Sequence, residues 1–397
     1  MTSPTSPTSP ATRTVWSDLV GQRPTIEVLQ HAAAGVGMTH AWLFTGPPGS
    51  GRSNVARAFA TALQCERRTG CGECEACRLG TNGTHPDITW VRSETSVLYV
   101  DDMRDLVLSA AKFPAIGRWQ IVVIEDADRL GTPENPRTGN ALLKAIEEPT
   151  PKTIWLLCAP TVQDVLPTIR SRCRTLTLAT PGTRDVAAFL HSNDGISETM
   201  AGFAARASQG HIGRARALAL DEETRTRRRE VISIPARLTS LGSCMTAATN
   251  LAELAKEETE AITADAERRE LQELQAIFGS ERKDTTSRSY RAALAGLEKL
   301  QKQKAKRRVL DVIDRALMDL VSVYRDAIAL AVGAPGLLVN EELRGDVQVL
   351  ARAASPEELL RMIDAIFTAR EQMLEFNVPP QLALESMTVA LRLPGGR

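Results

Sequence analysis

A glycine-rich segment near the N-terminus has the residue types and spacing of a phosphate-binding loop. It runs Gly46-Pro47-Pro48-Gly49-Ser50-Gly51-Arg52-Ser53 and fits G-x-x-x-x-G-K-[ST], except that Arg52 stands where lysine belongs. Such a loop holds phosphates with successive backbone N–H groups and a helix N-terminus, while its lysine reaches the β- and γ-phosphates as a compact charge. Arginine keeps the positive charge, but its side chain is longer and ends in a planar guanidinium group. A nucleotide could therefore still dock here while the geometry for cleaving the γ-phosphate is impaired.

An apolar run that ends in two acids supplies the second element that a nucleotide site needs. The run Ile121 to Ile124 is followed by Glu125 and Asp126, in the order Glu-Asp rather than Asp-Glu. In a working P-loop ATPase the first acid holds Mg²⁺ and the second polarises the attacking water, so this exchange displaces both carboxylates by about one methylene. The alternative is a strand end that merely leads into a solvated loop, but the upstream loop favours a degenerate nucleotide site. Its predicted residues are Gly46, Gly49, Gly51, Arg52, Ser53, Glu125 and Asp126.

Four cysteines follow the phosphate-binding segment in the pattern C-x5-C-x2-C-x2-C. These are Cys65, Cys71, Cys74 and Cys77. In a reducing cytosol such a cluster is typical of a tetrahedral Cys₄ zinc site rather than of a disulfide framework, and a closed Cys₄ shell makes the metal structural. The glycines at 70, 72 and 80 would let the chain fold tightly around an ion. A redox pair with two idle thiols is the alternative, and His85 is a possible substitute ligand, although a histidine beside Pro86 is more typical of a loop.

Short apolar runs alternate with helical patterns over the first 180 residues, which predicts a doubly wound α/β domain with a parallel sheet. The predicted strands are Ala41 to Thr45, Asp87 to Val91, Gln120 to Glu125, Thr153 to Cys158 and Arg174 to Leu178. The predicted helices are Ile26 to Gly35, Arg52 to Leu63, Val100 to Lys112, Gly139 to Glu148 and Val162 to Ile169.

The rest of the chain reads as helical. Residues 181–226 predict a small helical lid, broken near Asn193-Asp194-Gly195 and Gln209-Gly210. Residues 227–397 predict a third, all-helical domain. It carries a highly charged insertion from Glu253 to Arg308, with a predicted interruption at Gly279-Ser280 and Thr285-Thr286-Ser287.

Composition excludes several classes of protein. Lys plus Arg and Asp plus Glu number 48 each, so net charge gives no argument for nucleic acid or a membrane. Thr-Ser-Pro repeats three times from Thr2 to Pro10, and residues 1–14 read as a disordered tail rather than a signal peptide. The most apolar stretch, Ala327 to Val339, is shorter than the roughly 20 residues of a membrane span. We therefore expect a cytoplasmic protein with no membrane partner.

Several motifs together resemble the bacterial clamp-loader ATPase family. They include Trp16 to Gln22, the His40 to Phe44 lead-in, the Cys₄ segment, Asn140 to Lys144 with Glu147-Glu148-Pro149, and Ser171-Arg172-Cys173. The resemblance covers roughly residues 15–225, with a weaker echo at Asn377 to Glu385. It implies an AAA+ fold for the first domain and a collar role for the C-terminal helices. It also implies work in DNA polymerase III, with gamma/tau and delta subunits as partners and with the sliding clamp and primed DNA reached through the assembled complex.

Within this family the motor subunits, gamma and tau, keep the P-loop lysine and the Asp-Glu pair, whereas the delta-prime class is allowed to lose both. The chain resembles that class. By the same resemblance Arg172 is an arginine finger that reaches into the ATP site of a neighbouring motor subunit. The family's sensor threonine falls on Ala159, and the lid's sensor arginine has no clean counterpart near Gly210 to Arg214. Both gaps argue against hydrolysis by this chain alone.

Two other functions stay open on the sequence. One is a motor-type ATPase in which Arg52 replaces lysine productively, and the other is a zinc-dependent nucleic-acid binding module with a vestigial ATPase domain. The candidate DNA patches are Arg225 to Arg229 and Lys302 to Arg308. Neither is interleaved with aromatic residues, so we expect both to be solvated faces.

Overall fold

A computed structural model describes residues 13–91, 100–131, 136–279 and 288–393. The chain divides into two compact units, residues 1–219 (unit 1) and residues 220–397 (unit 2). Most of the predicted tail, residues 1–12, lies outside the described residues. In the part of the chain that is described, no helix has the length and apolar character needed to cross a bilayer.

Unit 1 is built on a five-stranded sheet with all pairings parallel and the order β2-β3-β4-β1-β5. Its strands are β1 (Ala41–Thr45), β2 (Ile88–Val91), β3 (Gln120–Ile124), β4 (Thr153–Ala159) and β5 (Arg174–Thr177). Every residue of β1, β3 and β4 is buried, as expected of strands covered by helices on both faces. The predicted α/β fold and all five predicted strands are confirmed.

Helices cover both faces of this sheet. They are α1 (Arg23–Ala33), α2 (Arg52–Gln64), α3 (Glu75–Asn82), α4 (Val100–Ala110), α5 (Arg137–Glu147) and α6 (Pro167–Arg170). On one face Trp42 and Phe44 of β1 pack edge-on against Phe59 of α2, with ring centroids 5.1 and 6.4 Å apart. On the other face Leu43 and Leu157 join the core formed with α4 and α5.

One of the predicted helices is wrong, and one helix was missed. The predicted helix Val162 to Ile169 is wrong, because only α6 is helical in this region. The Asp164 carboxylate accepts a hydrogen bond from the Thr161 N–H at 2.9 Å and closes a turn, and Pro167 occupies the first helical turn, where its missing N–H costs nothing. Helix α3, which lies within the cysteine segment, was not predicted.

The predicted lid consists of three helices that share a small core of their own. They are α7 (Thr183–Asp194), α8 (Glu198–Ala207) and α9 (Ile212–Leu220). Gly195 ends α7 with a φ of 68°, and Gln209 and Gly210 follow α8 with φ of 51° and 91°, so both predicted breaks are confirmed. The three-domain division stays a prediction, since the two compact units separate at 219/220 and leave these helices with the sheet.

Unit 2 is helical throughout its described part and has a separate hydrophobic core. Its helices are α10 (Glu222–Ile232), α11 (Leu241–Gly279), α12 (Arg288–Ala331), α13 (Arg344–Ala353), α14 (Pro356–Leu374) and α15 (Pro380–Ala390). Helix α14 begins with a capping box, in which Ser355 and Glu358 bond to each other's backbone N–H.

The charged tract forms an antiparallel pair of helix ends, the C-terminal part of α11 and the N-terminal part of α12. Lys304 Nζ lies 3.0 Å from Glu270 Oε1, and the rings of Phe278 and Tyr290 pack edge-on at 5.6 Å. We name this pair, residues 253–279 and 288–308, the charged hairpin. Helix α11 ends at Gly279, the first residue of the predicted interruption, whereas Ser280 and Thr285 to Ser287 lie outside the described residues.

One buried arginine organises a polar network inside unit 2. Arg228 of α10 is 5% exposed and ion-pairs with Asp319 of α12 at 3.4 Å and with Glu342 at 2.7 Å. It also donates to the Asn340 side chain, which in turn bonds to Asp326 at 2.9 Å. One arginine of the candidate DNA patch Arg225 to Arg229 is therefore buried inside unit 2.

We expect Arg228→Ala to destabilise unit 2 by about 3–5 kcal/mol, because it leaves Asp319 buried without its cation. Far-UV circular dichroism in a urea titration measures the loss. The matched control is Arg227→Ala, whose partner Glu223 is 69% exposed, and it should cost below about 1 kcal/mol. Equal losses in the two variants would contradict this role for Arg228.

Candidate functional site

The phosphate-binding segment lies at the carboxyl end of β1, where it turns into α2. Its glycines adopt left-handed or related conformations, with φ of 154° at Gly46, 87° at Gly49 and 88° at Gly51. Gly51 is the N-cap of α2, so the positive end of this helix faces the loop. Pro47 and Pro48 have no N–H, and the Ser50 N–H donates to the Pro47 carbonyl at 3.0 Å. The remaining loop donors are those of Gly49 and of residues 51–53, which is the arrangement that receives a phosphate.

Neighbouring segments hold this loop in place. The Gly46 N–H donates to the Pro160 carbonyl, just after β4, at 3.0 Å. The amide of Gln22 donates to the carbonyls of Ser50 at 3.3 Å and Ala179 at 2.6 Å, and so ties the loop to the end of β5. Gln22 belongs to a motif that the sequence singled out, but its positioning role was not predicted, because it depends on a contact across 157 residues.

The lid packs against the phosphate-binding loop at Gly49. A Cβ on Gly49 would lie 2.7 Å from His211 Cβ and 2.9 Å from His211 Cα, so the absence of a side chain at Gly49 is what admits the start of α9. At Gly51 a Cβ would meet nothing within 4 Å. The two glycines therefore share a backbone conformation but differ in what surrounds them.

The acids Glu125 and Asp126 follow β3 and reach the same edge of the sheet as the loop. Asp126 lies 3.9 Å from Arg129. Burial raises the pKa of Asp128, and the charge of Asp126 raises it further while Arg52 opposes both. The loop and the acids are thus within electrostatic reach of each other, as a nucleotide site requires.

Arg52 itself is half-buried, and its Nη1 is enclosed without a hydrogen bond to any described residue. A buried guanidinium nitrogen that lacks an acceptor is costly, and an anion in the loop would supply one. Ser50 Oγ is also buried and has no hydrogen-bond partner among the described residues. At the end of β4, the position of the family's sensor threonine, Ala159 is fully buried and has no hydroxyl to offer. The assignment of these residues to nucleotide binding stays a prediction.

Arg172 lies on the surface of unit 1, directly after α6. Its guanidinium is 2.5 Å from Glu147 Oε1 at the end of α5 and donates to the Thr168 carbonyl at 2.7 Å and to Ser171 Oγ at 3.2 Å. Both terminal nitrogens of the guanidinium thus make contacts, and the side chain remains 39% exposed. Glu147 was part of a sequence motif, but its contact with Arg172 was not predicted.

The four cysteines come together at the far end of α2. Cys65 is the C-cap of α2, Cys74 is the N-cap of α3, and all four Sγ atoms lie within 4.8 Å of one another. The closest sulfur pairs are 3.7 to 4.0 Å apart, while a tetrahedral shell with Zn–S of about 2.3 Å requires about 3.8 Å between sulfurs. These residues can hold a metal ion. His85 is buried elsewhere, in the loop before β2, and lies outside this cluster.

Local packing explains how such a short segment folds around the sulfurs. Gly70 and Gly72 have φ of 70° and 80°, and a Cβ on Gly72 would lie 2.2 Å from the Arg13 carbonyl oxygen. A Cβ on Gly80 would lie 2.5 Å from Thr61 Oγ1, so this glycine lets α3 pack closely on α2. The chain therefore packs closely at these glycines, while their role around an ion stays a prediction.

Backbone donors favour thiolate at one position of the cluster. Burial acts to raise the pKa of Cys65, but the backbone N–H groups of Cys71, Thr69 and Arg67 outweigh it and lower that pKa to about 6. Burial raises the pKa of Cys77. A cation bound by all four sulfurs would stabilise the thiolate form of each.

Comparison with known families now adds to this geometry. The model of the family described as DNA polymerase III, delta subunit, matches residues 21–182, and a second model, for the C-terminal region of the delta subunit, matches residues 284–391. The first match covers the sheet of unit 1 and the second covers α12 to α15 of unit 2, so both units are similar to parts of DNA polymerase III delta-type subunits.

Known clamp-loader relatives resemble the first part of the chain. The DNA polymerase III subunit delta' of Pseudomonas aeruginosa is 36% identical over 178 residues, which is 44% of this chain and 49% of the relative. The delta' subunit of Escherichia coli is 33% identical, with 45% and 54% covered. The tau/gamma subunit of Haemophilus influenzae is 35% identical, with 40% of this chain and 23% of the relative covered. The matched part of the chain thus spans about half the length of the two delta' relatives.

We expect Gly49→Ala to destabilise unit 1 by about 1–3 kcal/mol more than Gly51→Ala. Both changes put a side chain on a left-handed residue, but only the first forces a Cβ into His211. Tryptophan fluorescence in a urea titration measures both variants. Equal destabilisation would show that the loop and the lid are not in contact in solution.

Proposed function

We propose that this chain is the delta-prime subunit of a DNA polymerase III clamp loader. It would assemble with gamma/tau and delta subunits in the cytoplasm, help to load the sliding clamp onto primed DNA, and contribute little ATP hydrolysis of its own. The observation that carries the proposal is the exposed Arg172, held at the surface of a fold whose own nucleotide site departs from the motor pattern.

The departures from the motor pattern act on different parts of the reaction. Arg52 replaces the lysine that contacts the β- and γ-phosphates, and the Glu125-Asp126 order moves the groups that hold Mg²⁺ and orient water. Ala159 removes a sensor hydroxyl. None of these changes prevents the loop donors from holding phosphates, so a nucleotide such as ATP or ADP would act here as part of the scaffold.

Arg172 would supply its guanidinium to the ATP site of a neighbouring motor subunit, where charge develops on the γ-phosphate in the transition state. The contacts to Glu147 and the Thr168 carbonyl use part of the fork and limit its rotation. Glu147 would therefore be a positioning residue that reduces the entropy lost when the arginine enters the partner's site.

In a reconstituted clamp loader, we expect Arg172→Ala to lower the ATP hydrolysis that the clamp and primed DNA stimulate. An arginine finger is worth about 10³–10⁵ in kcat at the site it enters, and the other sites of the complex continue to turn over. Steady-state and single-turnover assays of ATP hydrolysis measure what fraction of the activity of the complex is lost. An unchanged rate would remove the finger assignment.

We expect Glu147→Ala to lower kcat in the same assay by less than Arg172→Ala, with the KM for ATP unchanged. The double variant should match Arg172→Ala alone, because Glu147 acts only through that arginine. Glu148→Ala is the control, since this neighbour is also exposed and forms no ion pair with a described residue. A loss in the Glu148 variant equal to that of the Glu147 variant would point to a general effect at the end of α5.

The rival function is a motor-type ATPase in which Arg52 works as lysine does, and the likeness to a tau/gamma subunit favours it. The isolated chain decides between the two. Turnover at a rate comparable to that of a motor subunit, abolished by Gly51→Val, would reject the delta-prime assignment. Turnover at background level supports it.

We further propose that Cys65, Cys71, Cys74 and Cys77 hold a structural zinc ion. The sulfur spacing fits a tetrahedral shell, and four protein ligands leave no open position for substrate. The ion would fix the turn between α2 and α3 in place of a hydrophobic core that such a short segment cannot build.

Metal analysis of the purified chain should find about one zinc ion, bound by the four thiolates. Cys77→Ser should lose the ion and lower the melting temperature, and a chelator should lower that of the wild type. The control is Cys244→Ser, a buried cysteine of unit 2, which should keep the ion. Absence of zinc from the wild type, or full zinc content in Cys77→Ser, would contradict the assignment.

A further inference from the structure

The charged hairpin fixes which side of α12 faces its partner helix. Lys304 pairs with Glu270 of α11, Gln301 donates to the same carboxylate at 3.0 Å, and Tyr290 packs on Phe278. Because residues on a helix advance by 100° each, positions 290, 301 and 304 lie on one side of α12. That side is occupied by α11.

Three lysines lie on the opposite side. Lys299, Lys302 and Lys306 follow the i, i+3, i+7 spacing and share one helical face, and all three are exposed. None of them pairs with a carboxylate of a described residue, whereas Lys304, on the inner side, does. The face borders an open depression of about 380 Å³ whose lining also includes Ala295, Glu298 and Gln303. We name Lys299, Lys302 and Lys306 the lysine stripe.

The composition of this stripe favours nucleic acid over protein as its partner. Lysine is depleted from protein interfaces, which are built on buried aromatic and apolar anchors, and the depression has no aromatic lining. The three ammonium groups rise along about 10 Å of helix, a distance over which one DNA strand presents about three phosphates. Lysine binds phosphate as a point charge without demanding a fixed geometry, which suits a regular backbone.

We propose that the lysine stripe of α12 binds the phosphate backbone of duplex DNA. The contact carries no base specificity, because it is made to phosphates and not to base edges. It is a binding surface beyond the proposed delta-prime function, and it requires neither Arg172 nor the nucleotide loop. The single acid on this surface, Glu298, lies beside the stripe and weakens the attraction without cancelling it.

The test is fluorescence anisotropy of a labelled duplex titrated with the purified full chain across a series of salt concentrations. Each phosphate contact contributes about 0.9 to the slope of log K against log salt, so Lys299→Gln/Lys302→Gln/Lys306→Gln should flatten the slope by about 2.7. Glutamine keeps the helix propensity of lysine, so the fold should persist, which circular dichroism checks.

A charge-matched control removes three exposed cations elsewhere in unit 2 through Lys256→Gln/Arg352→Gln/Arg361→Gln. Its slope should stay that of the wild type. The proposal is overturned if the stripe variant keeps the wild-type slope, or if both triple variants flatten it equally. Binding that disappears with Cys77→Ser but survives the stripe variant would also overturn it, by moving the contact to the cysteine cluster. Self-association of the chain, lost in the stripe variant while DNA affinity is unchanged, would assign the stripe to a protein partner instead.

Discussion

The fully buried parallel sheet is the constraint on which the candidate site depends. Strands β1, β3 and β4 bury every residue, so they cannot slide without exposing apolar side chains or breaking the ladder. The segments after these strands continue the same hydrogen bonding, since the Gly46 N–H bonds to the Pro160 carbonyl and the Glu125 N–H bonds to the Val91 carbonyl. The backbone hydrogen bonds of the sheet alone therefore position the phosphate loop and the acids, without any contact from the side chains of the site.

Sequence reasoning located the strands because buried parallel strands are continuous apolar runs, and it located α2 from the glycines that precede it. It failed where local side chains compete with the helix, as at Asp164 and Pro167, and it missed α3, whose cysteines and glycines gave no helical pattern. The contact of Arg172 with Glu147 could not be predicted from the sequence. The two residues are separated in the chain by β4, and only the folded structure brings the ends of α5 and α6 together. The inner and outer faces of α12 could be distinguished only from the position of α11 in the structure.

Arginine is used in three different ways in this fold. Arg228 is buried between two carboxylates and is a structural residue of unit 2. Arg172 is exposed and ion-pairs with the surface carboxylate of Glu147. Arg52 is half-buried with an enclosed Nη1 that no described acceptor reaches. Burial and the available acceptors, rather than the residue type, separate a structural cation from one that is ready for a partner.

The hydrophobic core of unit 2 is separate from the cores of unit 1, and this has a consequence for how the chain unfolds. We expect the two units to unfold in separate transitions, so that a single midpoint describes neither. All five tryptophans, at positions 16, 42, 90, 119 and 155, belong to unit 1. Intrinsic tryptophan emission therefore reports on the unfolding of unit 1 alone, while the helical signal in far-UV circular dichroism comes largely from unit 2. The difference between the two unfolding midpoints measures how independently the two units fold.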